Sequence, residues 1–179
     1  VTDYDVAAGD SVTLSMGASG GAALRIQPAV SSDSNDVVSG ETYVLRNVNS
    51  GKALDVENAS TSDGANVHQY SYASGDNQKW VVTDLGNSYY KLEAVHSGKA
   101  LDVENASTSD GANVHQYEYV GGENQQWDVI KNADGSYRLI ARHSGKALNV
   151  QGGSTSDGGN VEQYTYDGYG SQKWTLERL

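Results

Sequence analysis

Apolar positions in this chain recur on two scales. Over short stretches the period is two: in "YKLEA", Tyr90, Leu92 and Ala94 alternate with Lys91 and Glu93, the pattern of a strand with one buried face. "ALDV", "NVHQY" and "KWVV" are equally short, and they lie between "SGK", "SDG" and "GDN" segments that read as turns. The longer period is 47 residues. Tyr43, Tyr90 and Tyr137 are in step, as are Leu45, Leu92 and Leu139, then Leu54, Leu101 and Leu148. The register continues through Val67, Val114 and Val161 and ends at Trp80, Trp127 and Trp174. Three copies, 42–88, 89–135 and 136–179, therefore follow one another without a linker. With about four strands per copy, the reading is an all-β chain of roughly twelve short strands. Helical solenoids are excluded because their apolar spacing is three to four. Propellers typically close with about four or more blades. Three copies predict a closed threefold barrel, with Leu, Val and Trp of each copy meeting on the axis.

The copies are not equally alike. "SGKALDVENASTSDGANVHQY" at 50–70 returns unchanged at 97–117, whereas 144–164 reads "SGKALNVQGGSTSDGGNVEQY". Each copy closes on Gln-x-Trp, at 78–80, 125–127 and 172–174. The Gly-Lys-Ala-Leu-Asp-Val start, the Gln-Tyr centre and the Asn-Gln-x-Trp end resemble the ricin-type β-trefoil lectins, and in particular the bacterial family 13 carbohydrate-binding modules. The resemblance covers 42–179 and implies a β-trefoil. Many relatives carry one disulfide per repeat; its positions here are Ala53 with Tyr72, Ala100 with Tyr119 and Ala147 with Tyr166, and the chain has no cysteine. A covalent restraint commonly worth about 2–4 kcal/mol is thus missing, and the expectation is that an aromatic ring over alanine fills its space.

The resemblance also implies a ligand set. In the first repeat it is Asp55, His68, Tyr70, Asn77 and Gln78; in the second, Asp102, His115, Tyr117, Asn124 and Gln125. The chemistry suits a sugar, which presents neighbouring hydroxyls and an apolar C–H face. A carboxylate accepts from two hydroxyls, an amide donates and accepts, and a Tyr ring stacks on the C–H face. Each assignment has a rival: the Gln residues as backbone braces, the Asp residues as partners of turn amides, the Tyr residues as packing. In the third copy the structural letters Leu148, Val150, Val161, Gln163, Tyr164, Gln172 and Trp174 persist, while the candidate ligands become Asn149, Glu162 and Ser171. That selectivity points to a binding site lost or retuned. Asn149, Glu162, Tyr164 and Gln172 form the corresponding third set, with Glu162 taking the acceptor role if the set still works.

Composition narrows the partners. The chain has 179 residues, 21 Gly, 12 Tyr, 3 Trp, no Phe, and a formal net charge of −11. Phosphate binding needs a basic patch, so nucleic acid and anionic membranes are poor partners. No apolar run is long enough to span a bilayer, and no signal peptide is visible. The four His residues, at 68, 96, 115 and 143, lack metal-cluster spacing, and "NADG" and "STSDG" read as turns rather than calcium loops. No cofactor and no metal are expected. Equivalent carboxylates on separate repeats face different ways, too far apart for paired acid–base hydrolysis. "NAS" at 58–60 and 105–107 is a glycosylation sequon.

Residues 1–40 lie outside the repeat. "DSVTLSM" and "AALRIQP" read as a hairpin, and "AVSSDSNDVVSG" as a linker before a domain at 41–179. The segment resembles the closing strands of the β-sandwich that often ends a glycoside hydrolase. With Val1 rather than Met at the start, this suggests a processed or excised piece of a larger enzyme. The expectation is a non-catalytic, extracellular, monomeric module that tethers an attached hydrolase to a polysaccharide with galactose, arabinose or xylose units. The alternatives are a free-standing lectin for cell-surface glycans and a structural trefoil without a sugar.

Overall fold

The computed structural model describes residues 37–179; the hairpin and most of the linker read from the first 40 residues lie outside them. Twelve strands form, four per repeat. The first repeat contributes β1 (Glu41–Asn47), β2 (Ala53–Val56), β3 (Ala65–Tyr70) and β4 (Trp80–Gly86). The second contributes β5 (Tyr89–Ala94), β6 (Ala100–Val103), β7 (Ala112–Tyr117) and β8 (Trp127–Lys131). The third contributes β9 (Tyr137–Ala141), β10 (Ala147–Val150), β11 (Gly159–Tyr164) and β12 (Trp174–Arg178).

All pairings are antiparallel, and six strands close on themselves: β1 pairs with β4, β4 with β5, β5 with β8, β8 with β9, β9 with β12, and β12 with β1. Closure leaves no open edge. The other six strands form three hairpins, β2–β3, β6–β7 and β10–β11. Their second strands also pair with one another around the axis, β3 with β7, β7 with β11 and β11 with β3. A barrel capped by a triangle of hairpins is the β-trefoil architecture that the sequence predicts. At the centre of the cap the Asn side chains make a ring: Asn66 donates to Asn160, Asn160 to Asn113 and Asn113 to Asn66, at 3.0, 3.1 and 3.1 Å.

The apolar positions that recur every 47 residues are the core. Leu45, Leu92 and Leu139 with Leu54, Leu101 and Leu148 are fully buried, as are the three Trp. Each indole N–H finds an acceptor across the barrel–cap junction: Trp80 donates to the Leu54 carbonyl, Trp127 to Leu101 and Trp174 to Leu148, at 3.0, 3.0 and 3.1 Å. A buried Trp without that partner would leave a donor desolvated. The core begins before the first repeat, because Val37 packs into it and the Val38 amide donates to the Tyr43 hydroxyl at 2.8 Å.

The segments read only as turns also join repeats. Gln69 donates to the Ser154 and Ser156 carbonyls at 2.7 and 3.0 Å, gripping the "STSDG" turn of the third repeat. Gln116 does the same to Ser60 and Ser62, and Gln163 to Ser107 and Ser109. Beside each grip lies an ion pair: Lys52 with Asp157, Lys99 with Asp63 and Lys146 with Asp110, at 2.6, 2.7 and 2.7 Å.

Candidate functional site

The hairpin register decides which side chains meet. Asp55 on β2 lies directly opposite His68 on β3, and Asp102 opposite His115. In both pairs His Nε2 stands 3.0 Å from the carboxylate Oδ1. Tyr70 and Tyr117 follow two residues later and so share the face of their His. The rings stack, with centroids 5.6 and 5.8 Å apart and planes inclined by 24° and 25°. The Tyr residues are 45% and 42% exposed, although Asp and His beneath them are buried. A Tyr ring held over a polar floor and open to solvent on its outer side is a stacking platform.

Asn77 and Asn124 arrive from the 3₁₀ turns Asp76–Gln78 and Glu123–Gln125. Asn77 Nδ2 donates to Asp55 Oδ1 and to the Val56 carbonyl, both at 3.1 Å. Asn124 Nδ2 lies 3.0 Å from both oxygens of Asp102 and 3.1 Å from the Val103 carbonyl. Neither Asp caps a turn; each carboxylate is fixed between strand and loop. Since a carboxylate takes up to about four hydrogen bonds, acceptor capacity remains for hydroxyls.

The Gln residues expected beside Asn in the ligand set stand behind the site instead. Gln78 Oε1 accepts from the Ala73 amide at 2.7 Å and Nε2 donates to the Ser71 carbonyl at 3.0 Å, and the residue is 2% exposed. Gln125 spans Val120 N and the Glu118 carbonyl, and Gln172 spans Asp167 N and the Thr165 carbonyl. All three brace the loop that presents the residue before them.

In the third repeat the polar pair is kept with its charge moved to the other strand. Asn149 lies opposite Glu162, and Asn149 Nδ2 donates to Glu162 Oε1 at 2.9 Å. Burial pushes the Glu162 carboxyl above its ordinary pKa, Asp110 adds to this, and bonds from Asn149 and Gln151 oppose it. Tyr164 keeps 42% exposure. Among the described residues, no cluster of three or more His, Asp or Glu gathers to hold a metal.

One coupling escapes a comparison confined to ligand letters. Gly75 and Gly122, two residues before Asn77 and Asn124, have φ of −65° and −62°, open to any residue. A Cβ on Gly75 would run into Asn77 Oδ1, and one on Gly122 would lie 2.5 Å from Asn124 Oδ1, so a side chain at either place would require the Asn amide to shift. The third repeat has Tyr169 there and Ser171 in place of the Asn. Aligning 75, 122 and 169 would have exposed this exchange.

A family model described as ricin-type beta-trefoil lectin domain-like matches residues 30–117 and 123–179. A designed threefold-symmetric protein, ThreeFoil, is 67% identical over 77% of this chain and 99% of its own, with a TM-score of 0.77. The exo-beta-1,3-galactanase 1,3Gal43A from Clostridium thermocellum is 38% identical over 80% of this chain, with a TM-score of 0.76. The match spans 31% of that enzyme's length. A ricin B-like lectin from Macrolepiota procera, solved in complex with lactose, is 25% identical over 80% of this chain and 99% of its own, with a TM-score of 0.70.

Proposed function

This chain belongs to the ricin-type β-trefoil lectin domain-like family, and from that premise we propose that it binds galactose-type units of a polysaccharide through its first two repeats. The observation that carries the reading is the assembly repeated in both: a fixed carboxylate, an amide beside it and an open Tyr ring over a His. Hydroxyls of the sugar bond to Asp55 and Asn77, or to Asp102 and Asn124, while the C–H face lies on Tyr70 or Tyr117. The choice of galactose is supported by a galactanase and a lactose-bound lectin among the similar structures.

A shallow site of this kind reaches a Kd of about 0.1–1 mM, so one site holds a polymer weakly. Two sites on one rigid cap raise the apparent affinity through effective concentration. The role that uses this is tethering, outside the cell, of an attached glycoside hydrolase to its substrate. The test is depletion of the protein from solution by insoluble galactan, with free galactose as competitor. Asp55→Ala or Asp102→Ala should each weaken retention sharply, and the double variant should abolish it. Retention untouched in the double variant would remove these two Asp residues from the function.

A further inference from the structure

Resting on that reading, we propose that His96 and His143 are positioning residues for the two sugar sites, each serving the repeat before its own. They share a register with Asn49, immediately before each "SGK". His96 Nε2 lies 2.8 Å from the Ser60 carbonyl, and His143 Nε2 lies 2.8 Å from the Ser107 carbonyl. A carbonyl only accepts, so Nε2 carries the proton and donates it. Ser60 ends the 3₁₀ turn Glu57–Ala59, which leaves β2 directly after Asp55 and Val56. Next to each His a backbone bond reaches the other side of the site. The Val95 amide donates to the Lys79 carbonyl and the Arg142 amide to the Gln126 carbonyl, both at 2.9 Å. Lys79 and Gln126 directly follow the turns that carry Asn77 and Asn124. Turn 57–59 lies against turn 76–78, and 104–106 against 123–125. Residues 95–96 thus clasp the two segments between which Asp55 and Asn77 meet, and residues 142–143 do the same for Asp102 and Asn124.

The third junction supplies the contrast. There the Val48 amide donates to the Lys173 carbonyl at 2.9 Å, so the backbone bond is kept. The shorter Asn49 side chain stops one residue earlier, at the Gly153 carbonyl, 2.9 Å away. Closure of the barrel therefore does not require His at this place. Histidine stands at the two junctions whose repeats keep the Asp, His and Asn of the site, and is replaced at the one facing Asn149, Glu162 and Ser171. It also carries a cost, because His96 Nδ1 and His143 Nδ1 are buried without a hydrogen-bond partner. A position that only joined repeats would avoid that cost with Asn. What the longer side chain adds is a donor that fixes the end of the turn beside the carboxylate.

The test is a ¹⁵N NMR titration of the full chain with galactose, reading the two sites separately, on the parent, His96→Asn and His96→Gln. Asparagine is the residue that the first repeat already uses, so the fold should be unaffected. In His96→Asn the Kd read around Tyr70 and Asn77 should rise about three- to tenfold, the loss of one neutral hydrogen bond. The Kd around Tyr117 and Asn124 should stay as in the parent. Without sugar, the Asn77 side-chain amide should shift and that of Asn124 should not. His96→Gln, whose amide nitrogen lies as many bonds from the backbone as His Nε2, should restore the parent Kd. His143→Asn should weaken the second site and spare the first. A merely structural His would change the unfolding midpoint and leave both Kd values alone. That result, equal weakening of both sites, weakening by His96→Asn confined to the second site, or no rescue by Gln would each overturn this proposal and leave the two sites as described. Galactose shifting neither site in the parent would overturn the proposed function and this inference together.

Discussion

At the residue scale, a site of this type is set less by its list of polar side chains than by what each displaces. Exchanging Asn149→Asp, Glu162→His and Ser171→Asn would give the third repeat the letters of the first two. It should nevertheless fail to reproduce their site, because a Cβ at the equivalent positions 75 and 122 would meet the Asn Oδ1, and position 169 carries one. The amide would swing away, and the bonds that Asn77 makes to Asp55 and Val56 would have no equivalent. Adding Tyr169→Gly should complete the site and bring a third galactose equivalent, which calorimetry would count. If the three-residue variant alone binds three galactose molecules, the steric coupling is wrong. Motif spacing and differential loss in the third copy both mark the Asp, His, Tyr and Asn of the first two repeats, and the hairpin register brings them together. For Gln78 the sequence left sugar ligand and backbone brace both open, since the same amide serves either, and its burial with two backbone bonds favours the brace.

At the scale of the element, short turns carry both strain and cohesion. Asn58 and Ala59 have φ of 56° and 49°, and Asn105 and Ala106 repeat these values. The third copy places Gly152 and Gly153 in the same conformation, at 60° and 63°. Alanine in the left-handed region costs about 1–2 kcal/mol, while glycine returns about 0.4–1 kcal/mol of that through the unfolded chain. Ala59→Gly and Ala106→Gly should each stabilise the protein by about 0.5–1 kcal/mol, read from the midpoint of denaturant unfolding. An unchanged or lower midpoint would contradict the strain. Strands were legible from local alternation, and "SGK" and "STSDG" were legible as turns. That these turns grip each other across repeats was not, because partners such as Lys52 and Asp157 are brought together only by closure of the barrel.

Those grips give the fold an acid limit. Hydrogen bonds from Lys99, Lys146 and Lys52 hold the carboxyls of Asp63, Asp110 and Asp157 below the usual carboxylate range. A depressed folded value gives stability that is present above the unfolded pKa of about 3.9 and lost as pH falls through the folded value. Unfolding measured from neutral to acid pH should therefore show a loss beginning below about pH 4. In Asp63→Asn/Asp110→Asn/Asp157→Asn the acid loss should be shallower. An identical acid slope in parent and variant would mean the pairs do not couple to folding.

For the whole molecule, the threefold arrangement separates what folding requires from what binding uses. Closure needs all three copies, so the Leu and Trp positions and the Gln braces recur in each. On the proposed function binding does not need identical copies: two repeats share one polar set and the third carries another. The most direct measurement is an NMR titration of the ¹⁵N-labelled full chain with galactose. Amides around Asp55, His68, Tyr70 and Asn77 should shift together with those around Asp102, His115, Tyr117 and Asn124, along curves of the same Kd. Shifts confined to other surfaces, or none up to the solubility limit of the sugar, would contradict the assignment of carbohydrate binding to these two repeats.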